Sequence, residues 1–145
     1  MSPRLPSLFH LLAIGLLATG CASSREQTYH VTVVNEAGAP VTLWIAKEGQ
    51  PFEAHWSTPS QWQSAREAGA IPDDAPSLGV ELPPARRVEL GPQSGRFRRD
   101  ARAVLYVFSA PVSLEEMAAT PRRAPCSRIA ESSVTRIRAP LQPIG

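Results

Sequence analysis

Residues that mark enzymes and metalloproteins are scarce in this sequence. It holds two cysteines, Cys21 and Cys126, and three histidines, of which only His30 and His55 follow the first twenty residues. A selective zinc site usually takes three or four ligands. No His-x-x-x-His, Cys-x-x-Cys or calcium-loop spacing occurs, so neither a metal nor another cofactor is expected. The nine glycines fall singly and form no phosphate-cradling loop. No serine stands in a Gly-x-Ser-x-Gly elbow. With no catalytic motif, the chain reads as a non-enzyme. Charge of one sign is also missing overall: the formal net charge of +2 gives no global drive toward nucleic acid. The longest apolar run, residues 8–18, is interrupted by His10. It falls short of the about 20 residues that cross a bilayer as a helix. No later run approaches that length.

What is present begins at the N-terminus. Arg4 is the only charged side chain before Arg25, the apolar run follows it, and the small residues Ala18, Thr19 and Gly20 close it. A positive start, a short apolar stretch and a small-residue exit are the three parts of a secretory signal peptide.

The exit reads Leu17-Ala18-Thr19-Gly20-Cys21 and resembles the bacterial lipobox of lipoprotein precursors, in which a thiol directly follows the cleaved bond. The resemblance covers only residues 1–21, and Ala18 stands where the family usually has Leu. It implies diacylglyceryl transfer to the Cys21 sulfur, cleavage between Gly20 and Cys21, and acylation of the new amine. Two or three acyl chains meet the requirement for stable anchoring. The competing reading is an ordinary signal peptide cut nearby, with Cys21 incidental. Ala22 rather than Asp follows the cysteine, which by the same resemblance favours the outer membrane of a Gram-negative cell. The expected protein is therefore exported and held on a bacterial membrane through Cys21. Beyond the anchor, the chain is only loosely similar to short envelope lipoproteins, a likeness that carries no activity.

The organisation that follows is a signal peptide over residues 1–20, a lipidated tether over 21–27, one domain over 28–140 and a frayed tail over 141–145. Fifteen prolines favour short strands and turns over long helices. Alternation and β-branched residues predict strands over 28–35 and 41–46, joined by an Asn-Gly-Pro turn and paired as an antiparallel hairpin. Residues 78–82 and 86–90 read as a second hairpin, and 91–95 as a turn. The strand over 103–108 is apolar on both faces and should be central. Residues 133–138 supply a last strand. Ser60 with Gln63, and Ser113 with Glu116, stand at capping-box spacing and predict two brief helices. The fold class is mainly β: a small antiparallel β-sandwich, immunoglobulin-like or transthyretin-like, with one or two short helical insertions.

Three features remain. Residues 25–81 carry three basic and eight acidic side chains, residues 86–138 eleven and five. Arg96, Arg98, Arg99 and Arg102 cluster around one turn, either as a solvated loop or as a contact for anionic headgroups or glycans. Cys126 has no intramolecular partner once Cys21 is lipidated; burial, incidence and an intermolecular disulfide are its readings. Trp44, Phe52, Trp56 and Trp62 lie within nineteen residues, beside Glu53 and His55. Such rings either fill a core or form a platform for carbohydrate or peptide. The candidate ligand-binding residues are thus Glu53, His55, Trp56 and Trp62. The leading expectation is a non-enzymatic binding or structural module at the envelope, with an envelope protein or glycan as partner. The alternatives are an enzyme or accessory acting on polysaccharide or peptide through Glu53, His55 and Trp56, and a subunit of an envelope complex.

Overall fold

The computed structural model describes residues 23–119, 123–125 and 132–141. Gly20, Cys21 and Cys126, on which the lipidation and thiol expectations turn, lie outside the described residues. The fold is mainly β, a small sandwich with short helical insertions. Strands β1 (Arg25–Asn35), β4 (Arg87–Phe97) and β7 (Ser132–Ile137) form one sheet in the order β4-β1-β7. Strands β2 (Val41–Glu48), β3 (Val80–Leu82), β5 (Arg102–Ser109) and β6 (Arg123–Pro125) form the other, in the order β3-β2-β5-β6. Every described pairing is antiparallel except β1 with β7, which is parallel.

Neither expected hairpin forms, and both fail for the same reason. β1 and β2 each carry an apolar face, with Tyr29, Val31 and Val33 on one and Val41 and Leu43 on the other, and all five are buried. Facing each other across the sandwich buries both sets. Pairing edge to edge in one sheet would leave each set still needing a cover. The connection between the strands, residues 36–40, is of a length that serves either arrangement. Its Gly38, at φ 78, helps to turn the chain from one sheet to the other. The segment 83–86 makes the return crossing, so β3 pairs with β2 and β4 pairs with β1.

The predicted turn at 91–95 is instead part of β4. The register against β1 shifts between Tyr29 and Val31, which pair with Gln93 and Leu90, leaving Gly91 and Pro92 as a bulge. Gly91 sits at φ 100 against the Tyr29 carbonyl, where a side chain would clash. Pro92 is tolerated because β4 is an edge strand with one side free of ladder bonds. β1 starts three residues before the predicted strand, because Arg25 to Gln27 continue the ladder against Phe97 to Gly95.

β5 is central, between β2 and β6, and its two faces feed two cores. Leu105 and Val107 join Tyr29, Val31, Leu43 and Phe97 between the sheets. Val104, Tyr106 and Phe108 join Trp44, Trp62 and Met117 on the opposite face. That second face is covered by helices α1 (Pro59–Glu67) and α2 (Leu114–Ala119).

The cap of α1 lies two residues before the predicted one. Thr58 accepts from the Gln61 N–H at 3.3 Å, and the Gln61 side chain accepts from the Thr58 N–H at 2.9 Å. Pro59 decides the shift, since proline suits the first helical position and holds its predecessor extended. The α2 capping box forms at Ser113 and Glu116 as the spacing predicts.

Candidate functional site

Alternation along β2 places Val41, Leu43, Ile45 and Lys47 on the face toward the other sheet. Lys47 is therefore carried into the sandwich, where it is 3% exposed. A buried ammonium is costly unless it is paired and hydrogen-bonded. Here it has three favourable neighbours. Nζ donates to Glu53 Oε1 and to the Arg96 carbonyl at 2.8 Å, and it lies 5.3 Å from the centre of the Phe97 ring.

Glu53 arrives on the segment that leaves β2 and precedes a single 3₁₀ turn at Ala54–Trp56. Its Oε1 also accepts from the Arg96 N–H at 2.8 Å. Its Oε2 lies 3.6 Å from His55 Nε2. Burial pushes the Glu53 carboxyl up, but Lys47, the Arg96 N–H and His55 together outweigh it and hold the group below its ordinary 4.5. A carboxylate so stabilised is a poor proton acceptor.

The neighbouring contacts repeat one theme. Ser94 offers its carbonyl to Trp56 Nε1 at 2.9 Å and to His55 Nε2 at 3.2 Å. Gln93 Nε2 donates to the His55 carbonyl at 2.7 Å. The segment therefore satisfies backbone groups of β4 on the side away from β1. This is how an exposed sheet edge is blunted by a covering loop. The arrangement ties a loop to a strand.

The structure brings Glu53, His55 and Trp56 together and separates Trp62 from them. Trp56 is 1% exposed and packs between the sheets, edge-on to Phe97 at 5.3 Å and to Tyr29 at 5.6 Å. Trp62 is 8% exposed and meets Trp44 edge-on at 6.1 Å beneath α1, on the other face of the four-stranded sheet. The rings thus belong to two cores, and of the four clustered aromatics only Phe52 is exposed, at 52%. His55 and Glu53 present no third acid or thiol: among the described residues no group of three His, Cys, Asp or Glu is placed to share a metal. His30 lies 3.6 Å from Glu89 on the outer face of the three-stranded sheet. Sequence reasoning passed over Lys47, although its alternation with Val41, Leu43 and Ile45 marks it as inward-facing.

No helix among the described residues is long and apolar enough to cross a membrane. Comparison with known proteins finds no matching family model, no matching curated protein and no matching solved structure.

Proposed function

We propose that this chain is a membrane-anchored envelope lipoprotein whose β-sandwich is a non-enzymatic binding or structural module. The anchor rests on the signal-like residues 1–20 and the lipobox-like cysteine at 21. The non-enzymatic reading rests on one observation: the Glu53 carboxylate is committed to Lys47 and to the Arg96 N–H. The residues most suggestive of chemistry are thereby used to hold a loop on a strand edge. Burial of Trp56 and Trp62 points the same way, since an aromatic platform for glycan or peptide needs its rings outside. On this reading the ligand or partner meets the outer surface of the sandwich, on the envelope side of a bacterial membrane, with the outer membrane favoured.

The test is the intact mass of the protein extracted from membranes, compared with Cys21→Ser. A chain starting at Cys21 and carrying acyl mass, absent from the variant, is the expected result. A membrane-extracted chain of unmodified mass would overturn the anchor.

A further inference from the structure

The start of β1 and the end of β4 meet at one end of the sandwich, where Arg25 pairs in register with Phe97. Ser23, Arg25, Gln27, Phe97, Arg98 and Arg99 line an open cavity there of about 350 Å³. Phe97 forms its floor and is buried, whereas Ser23, Arg25 and Arg99 are exposed and Arg98 is half-buried. A short turn sets the two later arginines, with the Ala101 N–H donating to the Arg98 carbonyl at 3.0 Å.

Five arginines among the described residues meet a carboxylate: Arg66 meets Asp73, Arg87 meets Glu89, Arg102 meets Glu48, and Arg136 and Arg138 meet Glu36. Among the described residues no carboxylate comes within ion-pairing distance of Arg25, Arg98 or Arg99. The nearest acids in sequence, Glu26 and Asp100, are exposed and pair with none of them. Three guanidinium groups thus share one mouth, none of them ion-paired among the described residues.

The mouth stands where the proposed anchor must hold it. Ser23, on its rim, is two residues from Cys21, and a fully extended chain spans about 3.5 Å per residue. The rim is then within about 7 Å of the lipidated sulfur's own backbone, inside the roughly 8–10 Å over which charges interact at physiological salt. Short covalent reach and unpaired positive charge coincide at one end of the fold. The opposite end carries the Asn35 and Arg138 side of the sheet.

We infer that the mouth formed by Arg25, Arg98 and Arg99 docks on anionic phospholipid headgroups, seating the sandwich end-on against the leaflet that holds the lipid on Cys21. This rests on the lipid-anchor reading. The planar guanidinium forks match phosphate oxygens bidentately, and each arginine held near an anionic surface is worth about fivefold in the docked-to-free ratio. Docking restricts rotation of the module about its tether, so the same outer face is always presented away from the membrane.

The test uses the full-length protein purified in detergent and reconstituted in vesicles of phosphatidylcholine, with or without phosphatidylglycerol. Limited trypsin digestion compares cleavage after Arg99 with cleavage after Arg138, which lies at the far end and serves as the internal control. Anionic vesicles should slow cleavage at Arg99 relative to Arg138, 1 M salt should abolish the difference, and Arg25→Gln should reduce it about fivefold. Intact mass is measured on the same sample. A lipidated protein whose cleavage ratio ignores lipid charge overturns the docking and leaves the anchor standing; an unlipidated mass overturns both. Protection by soluble heparin on neutral vesicles, with none from charged bilayers, would assign the mouth to a soluble polyanion and likewise overturn the headgroup docking.

Discussion

The side-chain amide of Asn35 donates to the carbonyl of Leu82, at 3.0 Å and across 47 positions of sequence, in the interior of the fold. The same amide donates to the Ala39 carbonyl at 2.8 Å, and its oxygen accepts from the Ala37 N–H at 2.9 Å. The Asn35 backbone meanwhile exchanges bonds with Ala85 and Arg86. One fully buried residue thus fastens both places where the chain crosses between sheets. Asn35→Ala orphans three backbone groups, and an unsatisfied buried group costs about 1–3 kcal/mol. The expected loss is about 3 kcal/mol in urea unfolding. A loss under about 0.5 kcal/mol would show that the corners hold without it.

The Lys47–Glu53 pair predicts an asymmetry between single and double variants. Lys47→Met removes the cation and leaves the partly exposed Glu53 carboxylate with only the Arg96 N–H and His55 as favourable neighbours. Breaking a fully buried pair typically costs about 3–5 kcal/mol, and the partial exposure of Glu53 sets this loss at or below the low end of that range. Replacing both members, as Lys47→Met with Glu53→Gln, removes the stranded charge and should recover a large part of that loss, because the amide still accepts from the Arg96 N–H. Urea midpoints for the four members of the cycle decide it. Additive losses would mean that the two side chains act independently.

Acid should weaken the fold through the same carboxylate. Burial raises the Glu53 value, but Lys47, the Arg96 N–H and His55 bring it below 4.5 overall, so the ionised form favours the folded state. That contribution is complete above pH 4.5 and is lost as pH falls through the folded value. Glu36, hydrogen-bonded by Arg136 and Arg138, and Glu116, bonded by Ser113, are lowered and act in the same direction. The stability gap between the wild type and Glu53→Gln should therefore be constant near neutrality and narrow as pH falls below 4.5. A gap that widens in acid would reverse the assigned sign.

Local pattern carried the elements and lost the long-range pairing. The β-branched alternation of β1 and β2, the two-faced apolar run of β5 and the Ser113–Glu116 box are short-range signals, and each element forms where its signal stands. Which strand pairs with which depends on where the second apolar face finds cover, and alternation within one strand holds no record of that. The Asn-Gly-Pro segment is equally compatible with a hairpin and with a crossing. The difference lies in Leu82, Ala85 and Arg86, far along the chain. At the site, Glu53 and His55 were legible as a pair. The burial of their partner Lys47 followed from the alternation of β2 but conflicts with the usual exposure of lysine.

The tryptophans supply the most direct reading of whether this surface is a ligand platform. Trp44, Trp56 and Trp62 are 0%, 1% and 8% exposed, and they divide between two cores. Native emission should be blue-shifted, weakly quenched by acrylamide, and indifferent to oligosaccharides or peptides bound elsewhere. Gly95 offers a control for Trp56 alone. A β-carbon there would overlap Nε1 of the indole, closer than any real contact, and would stand 3.0 Å from its Cδ1 and Cε2. Gly95→Ala must therefore push the ring or the strand aside, at the about 1–3 kcal/mol typical of overpacking, and should raise quenching while leaving the Trp44–Trp62 contact intact. Strong acrylamide quenching of the unaltered protein, with emission near that of free indole in water, would mean that the rings face solvent, and the platform reading would have to be restored.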